Sequence, residues 1–252
     1  MFMENDITSI EILIGEYQTL KINFEQERID EDIPKYDSLL NDFTVMKKEY
    51  HNWNRKKAER YNIFQVLNIR YAETKTHTPF LINLLNPKGT HAQGLLFFNL
   101  FINSIAPESK KHLYKDLKIS SLRIKEEKCT EDGRLDIIIE SYGTKEPFVI
   151  VIENKINAKD QREQLLRYYN HCKKIGYTND NILLLYLSKK GEEPTNYSMC
   201  QENRERLKKA DVLVNMSYCR DMKNILKAYI KQLESKKVKF ITKQYLDIIK
   251  TF

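Results

Sequence analysis

The sequence predicts an α/β fold in which a mixed β-sheet is flanked by helices. Two neighbouring segments, residues 135–139 and 148–152, are apolar runs rich in Ile and Val, and these residue types favour strands. Apolar patterns with helical spacing precede and follow them, and the elements then run in the order α, β, β, β, α, β, β, α. Helices packed against a central mixed sheet, an α+β arrangement, are therefore expected.

The composition is that of a soluble globular protein with a net positive charge. The chain has 252 residues, of which 41% are hydrophobic and 31% charged, and its net charge is +7. This charge permits nucleic-acid binding without demanding it. The four Cys are widely spaced and form no C-x-x-C pair, which argues against a zinc site and favours the cytoplasm. A signal peptide and a membrane span are not expected, because no basic leader and no run of about 18 apolar residues is present.

We expect two parts in the chain, residues 1–60 as a helical extension and residues 61–252 as the main domain. Apolar residues recur at helical spacing through the extension, and Pro34 predicts a break at residues 30–34 because proline fits poorly inside a helix. The two resulting helices would form a hairpin on the core or a surface for homo-oligomerisation, and the sequence leaves both alternatives open.

The hairpin formed by residues 135–139 and 148–152 is the most informative segment. If Asp136 lies opposite Glu153, Ser141 pairs with Phe148 and the two carboxylates point to the same face. Their Cβ atoms would then be about 5 Å apart, so one cation could bridge them. Lys155 would share the face of Glu153. The alternative is a surface hairpin that ends in an ordinary Glu–Lys pair.

Two carboxylates at the end of an apolar hairpin repel each other and lose hydration, and a hard divalent cation removes both costs. Oxygen ligands suit Mg²⁺ or Mn²⁺. A neighbouring Lys can hold a negatively charged substrate or stabilise charge on a phosphate.

The flanking segments add weaker candidates. Glu73 lies between an apolar segment at residues 63–69 and a helix predicted at residues 78–85, and is either a solvated residue or a site residue. Glu126, in a strand predicted at residues 117–127, is a second-rank candidate, and residues 131–133 predict a turn. For His77 and His91 a structural hydrogen bond is favoured over a phosphate contact.

After the hairpin, Asn157 and Asp160 predict the start of a helix through a capping box. Gln161, Gln164 and Tyr168 would then lie near one edge of that helix, where they could orient substrate. Solvated Gln side chains with a core Tyr are the alternative. Further strands are predicted at residues 181–187 and 211–216, and further helices at residues 94–105, 221–233 and 241–249.

Asp136 followed by Glu153-Asn154-Lys155 at the end of an apolar strand resembles the PD-(D/E)XK nuclease superfamily, although Leu135 stands where the name has Pro. Gln164-Leu165-Leu166-Arg167-Tyr168 is similar to the Gln-x-x-x-Tyr motif of its exonuclease-like branch. Residues around Glu73, including the Pro-Lys-Gly turn at residues 87–89, resemble a bacterial subfamily of PD-(D/E)XK-like proteins. The resemblance covers about residues 61–230.

This resemblance implies a restriction-endonuclease-like core and a Mg²⁺- or Mn²⁺-dependent nuclease, with DNA expected as the substrate rather than RNA. It assigns catalysis to Asp136, Glu153 and Lys155, and metal binding to Asp136, Glu153 and Glu73. Substrate positioning falls to Gln164, Gln161 and Tyr168. A role in bacterial defence or mobile-element biology is also implied.

Two other functions remain open at the level of sequence. One is a non-catalytic module that keeps the fold and binds nucleic acid or protein, and the other is a nuclease subunit that needs a partner. The chain has no G-x-x-x-x-G-K-[ST] loop of its own.

Overall fold

The structure is a computed structural model that describes the backbone of residues 2–130 and 133–252, and the side chains of residues 12–125 and 135–252. The predicted turn at residues 131–133 and the side chain of Glu126 therefore lie outside the described residues. Contacts between residues divide the chain into two compact units, Met1–Tyr61 and Asn62–Phe252.

The first unit consists of one long helix, α1 (Phe2–Lys57), which continues through Pro34. The predicted break at residues 30–34 is therefore wrong. A proline inside a helix removes one backbone hydrogen bond and costs about 3 kcal/mol, but the residues on either side of Pro34 keep their own hydrogen bonds. Glu is frequent before Pro34 and Lys after it, and both residue types favour helices.

The second unit contains a five-stranded mixed sheet and seven α-helices in its described residues. The strands follow chain order across the sheet, with β1 antiparallel to β2, β2 antiparallel to β3, and β3, β4 and β5 parallel. Their bounds are β1 Leu122–Thr130, β2 Gly133–Ser141, β3 Val149–Lys155, β4 Ile182–Ser188 and β5 Leu213–Ser217. The predicted mixed sheet flanked by helices is confirmed.

Helices surround this sheet on both sides. Those before it in the chain are α2 (Ile63–Val66), α3 (Thr78–Leu85) and α4 (Leu96–Ile105). Those after its central strands are α5 (Gln164–Lys174), α6 (Gln201–Lys209), α7 (Lys223–Gln232) and α8 (Lys236–Ile249). Short π-helical turns, Glu73–His77 and Tyr218–Met222, lead into α3 and α7. No helix in the described ranges combines the length and apolar character needed to cross a membrane.

The predicted hairpin forms in the predicted register. Ile137 pairs with Ile152 and Glu140 with Val149, and the Ser141 amide donates to the Phe148 carbonyl at 3.0 Å. All seven residues of β3 and of β4 are buried, because helices cover both faces of the parallel part of the sheet.

Alternation along β3 separates two hydrophobic cores. Ile150 and Ile152 join a core with residues of α3, α4, α7 and α8. Val149 and Val151 join a second core with residues of α5 and α6. Glu153 and Lys155 continue the second series to the end of the strand, so the fold carries them toward α5.

The helix predicted to begin at Asn157–Asp160 begins instead at Gln164. The expected capping box is absent because Asp160 binds elsewhere: it accepts hydrogen bonds from the Tyr186 hydroxyl at 3.0 Å and from the Thr195 amide at 2.8 Å. Glu163 has a φ of 53°, in the left-handed region, which sets the direction of the chain just before α5. Helix α6 was not predicted, because its sequence is almost entirely polar.

Buried His77 ties the entry of α3 to α8. One ring nitrogen lies 2.9 Å from the Tyr245 hydroxyl and the other 2.9 Å from the Arg70 carbonyl. Burial lowers the pKa of His77 from 6.5 to about 4, with a smaller opposing effect of the Arg70 carbonyl and a further lowering by Lys189. His77 and His91 both make structural hydrogen bonds; the latter accepts from the Gln93 amide.

Acid should destabilise the fold through His77. Between pH 6.5 and 4 the unfolded chain binds a proton at His77 that the folded chain does not. The free energy of unfolding should therefore fall by up to about 3 kcal/mol over this range. Urea unfolding at several pH values measures it. In the His77→Gln variant the free energy of unfolding should fall less steeply between pH 6.5 and 4. The His51→Gln variant, changed on the exposed surface of α1, should show the same pH dependence as wild type. Equal slopes in wild type and His77→Gln would contradict the assignment.

Candidate active site

The site lies where β2 and β3 end next to each other. Asp136 is in β2, and Glu153 and Lys155 close β3. The pairs between the two strands run from Ile137–Ile152 to Glu140–Val149. Just beyond them the Asn154 amide donates to Asp136 Oδ2 at 3.0 Å, which places Asp136 beside the end of β3. The hairpin thus brings Asp136 next to Glu153 and Lys155, which lie in the following strand.

Glu153 is the most buried polar group of the site, with 0% of its side chain exposed. Its Oε1 accepts from Lys155 Nζ at 2.7 Å and from Gln164 Nε2 at 2.8 Å. Its Oε2 is buried and has no hydrogen-bond partner among the described residues. Burial, and secondarily the charge of Asp136, raise the pKa of Glu153, while Lys155 opposes them. The site therefore holds a carboxylate whose negative charge is only partly compensated.

Lys155 is buried and supplies the positive charge of the site. Besides the ion pair with Glu153, its Nζ lies 3.4 Å from the Lys159 carbonyl. Burial lowers the pKa of Lys155, but the charges of Glu153, Asp136 and Glu73 outweigh burial and raise it. Lys155 is therefore a protonated ammonium among three carboxylates.

Asp136 is partly exposed, unlike Glu153. Its Oδ2 accepts a hydrogen bond from the Asn154 amide at 3.0 Å, which holds the carboxylate against β3. Its charge acts on Glu153, Lys155 and Tyr168. This partial exposure gives a ligand or substrate access to the site from solvent.

Helix α5 contributes Gln164 and Tyr168, one turn apart. Gln164 Nε2 donates to Glu153 and lies 2.9 Å from the Tyr168 hydroxyl. Both side chains are buried, so they position Glu153 directly. Gln161 lies before the helix: its amide donates to Gln164 Oε1 at 3.2 Å, while its exposed side chain accepts from Arg167 at 3.4 Å. The structure thus brings Gln164 and Tyr168 to Glu153, but not the side chain of Gln161.

Glu73 reaches the loop that follows β3. Its Oε2 accepts hydrogen bonds from three consecutive backbone amides, those of Ile156 at 2.7 Å, Asn157 at 3.4 Å and Ala158 at 3.5 Å. Glu73 is half-buried, and its charge raises the pKa of Lys155. It is therefore fixed beside the site and anchors the loop.

A buried polar chain behind β3 was not foreseen from the sequence. Asn154 points to the opposite face from Glu153, where Nδ2 donates to Thr78 Oγ1 at 3.0 Å and Oδ1 accepts from the Tyr218 hydroxyl at 2.9 Å. The sequence feature that could have revealed it is an Asn at an inward-facing position of an otherwise apolar strand. A buried amide side chain needs hydrogen-bond partners. This chain ties α3 and the start of α7 to the residue between Glu153 and Lys155.

The donors of the site fit a divalent cation. Asp136 and Glu153 supply carboxylate oxygens, and the buried Oε2 of Glu153 lacks a partner that a cation would provide. Among the residues whose side chains are described, no group of three or more His, Cys, Asp or Glu is arranged to hold a metal. The protein would thus furnish two carboxylates, and water or substrate oxygens would complete the coordination.

Comparison with known proteins supports this geometry at the level of the family. A family model described as PD-(D/E)XK nuclease superfamily matches residues 61–247, which include every residue of the site. The searches of the curated proteins and of the solved structures found no significant match.

The buried polar chain behind β3 should contribute measurably to stability. Tyr218→Phe removes the hydroxyl that donates to Asn154 Oδ1 and should lower the free energy of unfolding by about 1–3 kcal/mol. Tyr197→Phe, at a side chain that is 61% exposed, is the matched control and should change it by less than about 0.5 kcal/mol. Urea unfolding of the three proteins decides; equal stabilities would refute the role of this chain.

Proposed function

Because the chain belongs to the PD-(D/E)XK nuclease superfamily, we propose that it hydrolyses phosphodiester bonds of DNA in a reaction that depends on Mg²⁺ or Mn²⁺. The observation that carries this proposal is the fully buried Glu153, held by Lys155 and Gln164 beside Asp136. Such a costly arrangement of charges contributes little to stability. Buried ionisable groups with shifted pKa values are instead typical of catalytic sites.

Each residue of the site has a distinct role in the proposed reaction. Asp136 and Glu153 would hold the cation, which supplies activation of water and neutralisation of charge on the phosphate. Lys155, in contact with Glu153, would contact the scissile phosphate or orient the attacking water. Gln164 and Tyr168 keep Glu153 in position. Gln161 would contact substrate from the surface.

The charge of the domain supports a nucleic-acid substrate. Residues 1–60 contain 9 Lys or Arg and 13 Asp or Glu, which leaves 33 basic against 22 acidic residues in 61–252. The domain therefore carries +11, more than the whole chain. Positive charge of this size attracts the phosphate backbone in a way that does not depend on base sequence.

A group of cationic and aromatic side chains next to the site supports the same proposal. Lys189 Nζ donates to Asn157 at 2.7 Å, in the loop that Glu73 anchors. The same Nζ lies 5.5 Å from the ring centroid of Tyr71, and the Arg70 guanidinium lies 4.6 Å from it. Phosphates and bases are bound by such combinations of cation and ring.

We also propose a biological setting for this activity. The resemblance of residues 61–105 to a bacterial subfamily supports a role in bacterial defence or mobile-element biology. The widely spaced Cys support a location in the cytoplasm. DNA is the proposed substrate, as expected from the resemblance to the PD-(D/E)XK nuclease superfamily.

Neutralising either carboxylate should abolish cleavage. Asp136→Asn and Glu153→Gln each remove an anionic ligand from a hard-cation site, so cleavage of DNA in Mg²⁺ or Mn²⁺ should fall by at least about a hundredfold. Gel assays of single- and double-stranded DNA and of RNA, with and without EDTA, measure this. Glu202→Gln, on the exposed surface of α6, is the control and should keep full activity.

Near wild-type cleavage by both Asp136→Asn and Glu153→Gln would overturn the assignment of these residues to the metal site. If the purified wild type cuts no nucleic acid but binds it, the protein is a non-catalytic module. If it cuts only after a partner is added, it is a subunit of a larger nuclease.

Glu73 should contribute charge to the metal site as well as anchoring the loop. Glu73→Gln keeps an oxygen for the Ile156 amide but loses the charge. We expect the Gln variant to remain folded and to need at least about tenfold more Mg²⁺ for half-maximal cleavage. Glu73→Ala should also loosen the loop. A Gln variant with wild-type Mg²⁺ dependence would reduce Glu73 to a structural anchor and leave the hairpin assignment intact.

A further inference from the structure

Helix α1 exposes a long apolar stripe. In residues 12–57, seventeen large apolar side chains are between 43% and 67% exposed. Most of them recur every three or four residues, the spacing of helices that pack side by side: Leu13, Tyr17, Leu20 and Phe24, then Ile29, Ile33, Tyr36, Leu40, Phe43, Met46, Tyr50 and Trp53. The unit Met1–Tyr61 contains no second helix in its described residues that could cover this stripe.

The charges of α1 are divided between its two halves. Residues 2–34 contain nine acidic and two basic residues, whereas residues 35–57 contain six basic and three acidic residues. A parallel pair of such helices would place like charges side by side. An antiparallel pair places the acidic half of each helix against the basic half of the other, which is favourable.

We propose that α1 is the interface of an antiparallel homodimer, in which the apolar stripes of two copies pack together. With the acidic segment 25–32 opposite the basic segment 47–57, the two helices cross near Leu40. In this register Ile29 lies near Trp53 and Tyr36 near Met46 of the second copy. Val45 lies on the opposite side of the helix from Tyr36, and therefore outside the interface.

The available surface is sufficient for a stable dimer. The helix has 56 residues and is therefore about 84 Å long. In this register residues 25–57 of the two copies overlap, and they carry the eight stripe residues from Ile29 to Trp53. If each of these side chains loses roughly 100 Å² of accessible surface, two copies bury about 1,600 Å², the size of an ordinary specific interface. A second copy is thus an occupant that matches residues 25–57 of the helix in charge and area.

The first experiment is sedimentation equilibrium on the full chain. Wild type should be a dimer, and Leu40→Asp should raise the dissociation constant at least about a hundredfold, because it places a charge at the crossing point in both copies. Val45→Asp is the matched control, since it adds the same charge to the same helix outside the stripe and should leave the dimer intact. Circular dichroism checks that α1 stays helical.

A charge exchange tests the orientation and remains decisive if Leu40→Asp unfolds α1. Replacing Glu25, Glu27 and Asp32 with Lys should weaken the dimer at least about tenfold, and so should replacing Lys48, Arg55 and Lys57, which lie near them in the second copy, with Glu. Combining all six changes in one chain should restore the dissociation constant to within about threefold of wild type. A monomeric wild type overturns the proposal, because the stripe is then covered by the rest of the chain or by another protein. A dimer that none of these changes weakens, or that the sixfold exchange fails to restore, overturns it equally.

Discussion

The geometry of the site depends on one buried carboxylate, that of Glu153, at the end of the central strand β3. A buried carboxylate loses its hydration, and without compensation this loss would far exceed what one side chain contributes to stability. Lys155 and Gln164 compensate one of its oxygens. The other oxygen has no partner in the described residues, and it is the point at which the fold leaves room for a cation. The ends of β2 and β3, helix α5 and the loop after β3 all lie next to this partly compensated carboxylate.

The two faces of β3 carry polar groups with different roles. On one face, Glu153 and Lys155 carry the chemistry of the site, while α5 supplies the groups that hold them. On the other face, Asn154 is fixed by Thr78 and Tyr218. Its backbone amide, at the same residue, holds Asp136. Rotation or sliding of β3 would break both sets of contacts, so the hydrophobic cores and the buried amide together keep the two carboxylates at a fixed separation. Rigid support of this kind is what a catalytic arrangement needs.

The central strands of the sheet could be predicted from the sequence because the apolar pattern of each strand lies within a few consecutive residues. Alternation and apolar runs fixed β2 and β3, and pairing Asp136 with Glu153 gave the observed register. The start of α5 could not be predicted in this way, because Asp160 binds Tyr186 and Thr195 rather than capping a helix. The same holds for the polar chain behind β3, since Tyr218 lies 64 residues beyond Asn154. Proline at position 34 misled the prediction of α1, because the cost of one proline was outweighed by the long helical stretches on either side.

The most direct test of the central claim is to locate a bound cation. In a crystal grown with Mn²⁺, the anomalous signal should give a peak about 2.1 Å from carboxylate oxygens of both Asp136 and Glu153, with Lys155 next to it and not in contact with the ion. A well-occupied Mn²⁺ elsewhere in the domain, or no peak at this position at saturating Mn²⁺, would contradict the account.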